Sequence, residues 1–475
     1  MAQSVSGVNS VEQLIQNILA LERRPVDKLI TQRSNLNVRT SLFNDLKTKL
    51  LSLRSKAQEL TQTGALSPFE ARSVTSSNTG VLTASASASA QNGAHTIVMN
   101  QLASAHTVAS NRYNNTDTSI SGTTTGTKLF DITVNGVTHT VSVTVNAGDS
   151  DETVLANVAT AINNAAGSDV TAGAVHPTGA TVRLSLASDR TGTSNQMTFT
   201  DTDGLLGLLG VTNGAAATDT VGGYIKADLG GNELDAQFTL DGLNLIRESN
   251  SVSDALTGVT LNFLSAPGAG TPVTLTVAND TGSVKTKVND FIAKYNEVVT
   301  YLNDKLKVDA QAKVRGDLVG QTAYSSLRMN LRSMMASAVS SVTAGNPQTL
   351  SEIGITADSS GLLSISDGTK FDSALTTDVR KVSDLFNSSN GVATKLETLL
   401  DGYVNTGGVV EGSKNSVTTQ ISNINARIDR MEERLALREA SLRKQFSQLQ
   451  EVLNRILQQQ SFLQGMLGSI GSGSS

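Results

Sequence analysis

Residues 421–463 read ISNINARIDRMEERLALREASLRKQFSQLQEVLNRILQQQSFL, and an apolar residue occupies every seventh position of this stretch. The row consists of Ile421, Ile428, Leu435, Leu442, Leu449, Ile456 and Leu463. An apolar period of seven predicts a long amphipathic helix whose stripe is buried against another helix. Extended over 417–463, this helix would be roughly 70 Å long, at about 1.5 Å per residue. Propensity alone does not stabilise a lone helix of that length, so the stripe needs partners.

The N-terminal end of the chain carries a similar apolar pattern. Its residues are Leu36, Phe43 and Leu50, with Leu46, Leu53 and Leu60 between them. Residues 8–62 are predicted to be helical, with a break near Arg24-Pro25, because proline lacks a backbone N–H and clashes with the preceding turn. Both ends are therefore interpreted as assembly elements. Two uses of the stripes remain open and are compatible: an intramolecular pair of the terminal helices, and docking to other subunits.

Composition limits the classes of function. The 475 residues contain no Cys and no Trp, and the net charge is −5. Residues 1–60 carry +4 and residues 417–463 carry +2, which leaves −11 for the remainder. Basic ends and an acidic middle argue against nucleic-acid binding by the middle. The start, MAQSVS, does not have the pattern of a cleaved secretory signal, and no apolar run approaches the roughly 20 residues of a membrane span.

The Ser/Thr/Gly-rich middle is predicted to be rich in strands. Residues 128–200 form a unit with two alternating strands joined by the Asn135-Gly136 turn, a helix that begins at Ser150 or Asp151, and two further strands. Those two strands are placed at 181–186 and 196–200. Residues 201–234 are predicted to be looped. Strands follow at 238–246, 257–263 and 273–277, and helices resume at Val284.

The fold class that follows is α+β and multidomain. Long terminal coiled-coil-like helices are expected to form a leg, with nested strand-rich head domains inserted between them. Four domains are predicted: terminal helical segments at 1–40 and 440–475, flexible until assembled; a helical leg at 41–74 and 280–439; a β-rich head at 75–115 and 235–279; and an inserted α+β head at 116–234.

No constellation for catalysis is predicted. His95, His106, His139 and His176 have no companion at metal-ligand or dyad spacing, so we assign them to surface or strand-face positions. The acidic run at 149–152 is interpreted as a helix start, and 201–204 as a turn rather than a calcium loop. We therefore expect no catalytic, cofactor or metal site, and no enzyme activity.

Several segments resemble the family of flagellar filament cap proteins, FliD or hook-associated protein 2. Residues 93–106, GAHTIVMNQLASAH, are similar to that family's first strand and its Gln-Leu-Ala turn. Residues 250–261, NSVSDALTGVTL, are similar to its segment with the Asp-Ala pair. Residues 291–296, FIAKYN, and the IGIT and GLL segments at 353–363 resemble its later helix and hairpin. Residues 128–200 resemble the IN module of flagellins. The resemblance covers essentially the whole chain in order.

The resemblance implies a structural and chaperone-like role at the distal tip of the bacterial flagellum. Such a cap promotes folding and insertion of exported flagellin and prevents its loss. It implies a closed homo-oligomeric ring, drawn as a pentamer, and contacts with flagellin and hook-filament junction proteins. It also implies a FliT-like export chaperone on the C-terminal helix, and export by the flagellar type III system without a cleaved signal peptide. The self-assembly and filament-docking residues would be Leu36, Phe43, Leu46, Leu50 and Leu53, with the seven residues of the C-terminal row.

Two other functions remain open at this point. One is another hook-filament junction subunit, which would share the coiled ends. The other is an adhesin whose Ser/Thr-rich tip at 113–234 binds host mucin or surface glycans. Neither possibility involves nucleic acid or a membrane.

Overall fold

The structure, a computed structural model, describes residues 2–267, 270–309, 311 and 314–471. The chain divides into two compact units. A helical unit comprises residues 1–62 and 284–475, and a strand-rich unit comprises residues 63–283. The predicted class, α+β and multidomain with a long C-terminal helix, is confirmed.

The α-helices of the described chain have the following bounds: α1 (Ala2–Thr61), α2 (Asp151–Ala166), α3 (Leu205–Leu209), α4 (Thr281–Lys305), α5 (Thr322–Ala336), α6 (Gly368–Asn387), α7 (Val392–Val404) and α8 (Val409–Gly471). The predicted break at Pro25 is wrong, because α1 runs through this residue. An interior proline costs about 3 kcal/mol. The adjacent Val26 is fully buried in a cluster with Leu29 and Ile428, and this packing offsets the cost.

The strands before residue 201 are β1 (Arg72–Ser76), β2 (Leu82–Ala86), β3 (Gly93–Gln101), β4 (Ala105–Ala109), β5 (Tyr113–Asn114), β6 (Gly126–Val134), β7 (Val137–Val145), β8 (Val170–Thr178), β9 (Thr181–Thr191) and β10 (Thr198–Thr200). The later strands are β11 (Gly223–Lys226), β12 (Ala236–Leu240), β13 (Leu243–Arg247), β14 (Ser251–Leu256), β15 (Val259–Phe263), β16 (Pro272–Asn279), β17 (Val308–Asp309), β18 (Val314–Arg315), β19 (Ile355–Ala357) and β20 (Leu363–Ile365).

Two sheets of the strand-rich unit share one apolar core. Their strand orders are β1-β16-β3-β12-β13 and β14-β15-β2, all pairs antiparallel. Phe238 and Phe263 lie in this core with ring centroids 4.7 Å apart. The single strand predicted at 238–246 is instead the hairpin β12–β13. Asp241 and Gly242 form its turn with φ of 52° and 86°, and the Asp-Gly pair is the sequence signal that indicates such a turn.

The inserted part of this unit is built around α2. Sheet β10-β6-β7 and the sheet β11-β4-β9-β5, to which β8 adds on β9, contribute to a core with the buried face of α2. The hairpin turn at Asn135-Gly136 is confirmed, with φ of 49° and 76°. The helix start is also confirmed, since the Ser150 hydroxyl accepts a hydrogen bond from the Thr153 N–H at 3.3 Å. Strand β8 was not predicted, because its Gly and Pro residues obscure the alternation of Val170 and Ala172.

The core of the helical unit contains one face of α1 and one face of α4. Phe43 of α1 stacks on Tyr324 of α5 with centroids 5.7 Å apart, and Phe291 of α4 meets Phe386 of α6 edge-on at 6.2 Å. The Asn296 side chain exchanges two 2.8 Å hydrogen bonds with the backbone of Leu363, which attaches hairpin β19–β20 to α4.

Candidate docking surface of the helical unit

Helices α1 and α8 form an antiparallel pair. As the residue number increases along α1, the residue number of its polar partner on α8 decreases, so the two helices run in opposite directions. These contacts are Glu12 with Arg443 at 2.7 Å, Glu22 with Arg438 at 3.3 Å, Arg23 with Glu432 at 2.8 Å, and Arg33 with Asn425 at 3.2 Å. The groups are about half exposed, so each ion pair contributes roughly 0–1 kcal/mol and serves mainly to fix the register.

An apolar seam lies between the polar contacts. Val26, Leu29 and Ile428 are at least 92% buried, and Ile424, Met431 and Leu435 pack against them. The predicted intramolecular pair is therefore confirmed for this part of the stripe. Ile428 and Leu435, two members of the predicted docking row, contact α1 of their own chain.

The predicted N-terminal docking residues lie mostly inside the unit. Phe43, Leu46, Leu50 and Leu53 are no more than 1% exposed, and Leu36 is half-buried. These four enclosed side chains have no surface left for another subunit in this conformation, because the helices of their own unit cover them.

The C-terminal row changes its environment along α8. Ile421 is half-buried and Leu442 is 5% exposed, whereas Leu449, Ile456 and Leu463 are 51%, 52% and 57% exposed. The register explains the exposure of Ile456 and Leu463. Because Glu12 pairs with Arg443, the first residues of α1 lie opposite positions near 454 of α8, so the rest of α8 extends beyond α1.

Other apolar side chains join the exposed part of the row. Together they form the distal stripe, which we define as Leu449, Val452, Leu453, Ile456, Leu457 and Leu463, each 49–59% exposed. Three of these six were missed because the predicted docking set contained only the first heptad row. Their spacing of three and four residues was the signal in the sequence that could have found them.

Three of the four histidines lie beside carboxylates. The distances are 2.8 Å for His95 and Asp241, 3.0 Å for His139 and Asp169, and 3.1 Å for His176 and Glu152. Within the described ranges, no group of three or more His, Asp or Glu side chains could hold a metal ion. In the same part of the chain, no helix is long and apolar enough to cross a membrane.

The fourth histidine, His106 on β4, is 4% exposed. The ring Nδ1 accepts a hydrogen bond from the Met197 backbone N–H at 3.0 Å, and the backbone N–H of His106 donates to the Ser188 hydroxyl at 3.0 Å. Burial lowers the pKa of His106 to about 4, because the charged imidazolium would lose its hydration. The neutral ring is therefore part of the fold at neutral pH.

We expect acid to destabilise the strand-rich unit through His106. The unfolded chain binds a proton near pH 6.5 and the folded chain only near pH 4, so stability falls as the pH is lowered through this window. The loss should be on the order of 2–3 kcal/mol at its lower end. Hydrogen exchange of residues 105–109 and thermal unfolding would measure it. His106→Asn, which keeps an acceptor for Met197, should have a shallower pH dependence. An identical dependence in both proteins would contradict this role.

Comparisons with known proteins identify the family. The sequence model described as flagellar hook-associated protein 2 N-terminus matches residues 6–106, and that of the C-terminus matches residues 234–458. The B-type flagellar hook-associated protein 2 of Pseudomonas aeruginosa is 27% identical over 100% of this chain and 99% of its own length. The flagellar hook-associated protein 2 of Escherichia coli K12 is 26% identical over 95% of each chain.

A solved structure agrees with the sequence comparisons. The crystal structure of the D1-D2-D3 domains of the flagellar cap protein FliD from Escherichia coli superposes with a TM-score of 0.60. The match has 26% identity and covers 79% of this chain and 99% of that one. Sequence and fold agree along most of the chain, and this protein belongs to the flagellar hook-associated protein 2 family.

Proposed function

We propose that this protein caps the distal end of a bacterial flagellar filament, where it promotes folding and insertion of exported flagellin and prevents its loss. Family membership supports this role, since the matched crystal structure is that of a flagellar cap protein. The observation that carries the proposal is the distal stripe, an apolar surface at the end of a helix pair. Such a surface needs a partner to remove it from water. The proposed role is structural and involves no catalysis.

The proposed partners are further copies of this chain and flagellin. A cap must contact the filament and associate with itself, and the distal stripe offers apolar area for such contacts. We propose a closed ring, drawn as a pentamer, with further contacts to hook-filament junction proteins. Before export, the same stretch of α8 would bind a FliT-like chaperone, because an exposed apolar helix face risks aggregation until it is covered.

The docking residues are proposed on the basis of exposure. Leu449, Ile456 and Leu463 are the members of the predicted set with at least half of their side-chain surface in solvent. Phe43, Leu46, Leu50 and Leu53 would contribute only if the helical unit opened. We further propose an extracellular location at the flagellar tip and export by the flagellar type III system, with the domain limits predicted from the sequence.

Deletion of the gene tests the cap function. We expect cells without filaments that release monomeric flagellin into the medium, because exported subunits would no longer be retained at the tip. Electron microscopy and an immunoblot of the culture medium would measure both effects, and a plasmid copy of the gene should reverse them. Normal filaments in the deletion strain would refute the proposal.

A further inference from the structure

Three arginines on α8 lack an acidic partner among the residues that the structure describes. Two other arginines of α8 have such a partner on α1: Arg438 pairs with Glu22, and Arg443 pairs with Glu12. In contrast, no carboxylate of the described residues forms an ion pair with Arg427, Arg430 or Arg434, which are all exposed. Their spacing of three and four residues places them along one side of the helix.

The three arginines line a groove of about 570 Å³ together with Met431 and Glu433. A neighbouring groove of about 390 Å³ continues along α8 and is lined by Glu22, Met431, Arg434, Leu435 and Arg438. The surface therefore has a strip of thioether and aliphatic carbon beside three unpaired guanidinium groups. Glu433 is the one carboxylate among the residues of the first groove.

The arginines and the distal stripe lie on the same side of α8. A heptad row shifts by about 20° per heptad on a straight helix, so four heptads carry the row about 80° round the axis from Ile428 to Ile456. Arg427 precedes Ile428 by one residue, which is about 100° in the same direction. Cationic and apolar segments thus lie along one side of one helix, with residues 435–448 between them.

We propose that this side of α8 docks an amphipathic helix of another protein. That helix carries carboxylates where it lies along Arg427, Arg430 and Arg434, and aliphatic side chains where it lies along the distal stripe. The inference rests on the proposed cap function, which it extends by stating the chemistry of the partner. Guanidinium groups pair well with carboxylates, and an apolar groove beside them accommodates a helix face.

Charge distinguishes this occupant from other candidates. Terminal helices of a second copy carry +4 over residues 1–60 and +2 over 417–463, so they would be repelled by the arginines. Residues 63–283 of a second copy are acidic, with 18 Asp and Glu against 7 Lys and Arg, but they form mainly strands and loops. A nucleic acid would leave the apolar half of the surface uncovered.

Binding of two synthetic helices to the full-length protein tests the inference. Each peptide has 35 residues and an Ile/Leu stripe over its last two heptads. One peptide carries Glu and the other Lys over its first two heptads, and the heptad between is neutral and polar in both. We expect the Glu peptide to bind at least about tenfold more tightly, with a difference that shrinks in high salt. The triple variant R427E/R430E/R434E should reverse the preference.

A matched variant controls for net charge. R380E/K414E/K444E makes the same total change at exposed cations elsewhere in the helical unit and should leave the preference unchanged. Equal binding of the two peptides, no binding of either, or the same reversal in the control variant would overturn the inference. So would loss of self-association in R427E/R430E/R434E with unchanged peptide preference. None of these outcomes affects the cap function, which the gene deletion tests separately.

Discussion

Replacing Leu449, Ile456 and Leu463 with glutamine is expected to abolish filament growth while the protein stays folded. Glutamine has nearly the helix propensity of leucine, and the three side chains are already half in solvent, so α8 should persist. Each position would forfeit about 1 kcal/mol of apolar burial on docking, roughly half the value for a fully buried side chain. Three such losses weaken a contact by about a hundredfold.

The measurement for this variant combines filament counts by electron microscopy, flagellin in the medium, and thermal unfolding. Leu437→Gln is the matched control, since Leu437 is a 68% exposed leucine of α8 outside the distal stripe. We expect the control to support normal filaments. Full filament growth in the triple variant would show that the distal stripe has no part in docking. An unfolded α8 would mean that its side chains are needed for the fold.

Phe43→Ala, unlike the glutamine variant, is expected to lower the stability of the fold. It should destabilise the helical unit by about 3–5 kcal/mol. The Phe43 ring is 1% exposed and stacks on Tyr324, so its removal leaves a cavity between α1 and α5. Chemical denaturation of the purified chain would measure the loss. Leu51→Ala, at a 40% exposed position of the same helix, should cost less than about 1 kcal/mol. If Phe43→Ala kept full stability and lost only filament binding, the residue would be a docking residue after all.

Local signals in the sequence predicted much of the secondary structure. The Asn135-Gly136 turn and the cap at Ser150 depend on a few adjacent residues, and both occur as predicted. The break at Pro25 failed for a different reason. Local rules assign proline a cost but cannot include the packing of Val26 against Ile428, a residue about 400 positions away. Hairpin β12–β13 was missed although its Asp241-Gly242 turn is a local signal.

The docking residues were harder to predict from the sequence than the secondary structure. A heptad row indicates that a helix face will be covered, but not by which helix. Leu46 and Leu449 look equivalent in sequence, yet one is fully buried and the other is 51% exposed. Leu46 is enclosed in the helical unit, whereas Leu449 lies near the end of the α1–α8 pair, and no single stripe encodes this difference. Similarly, the unpaired state of Arg427 becomes apparent only when the partners of neighbouring arginines are known.

Solvent access at Ile456 on assembled filaments tests most directly whether the distal stripe is the docking element. The natural chain has no cysteine, so Ile456→Cys introduces a single thiol that a maleimide can label. We expect rapid labelling of the free protein and strong protection at filament tips, whereas Leu437→Cys should be labelled in both states. Equal labelling of Ile456→Cys in the free and the assembled protein would contradict docking through this stripe.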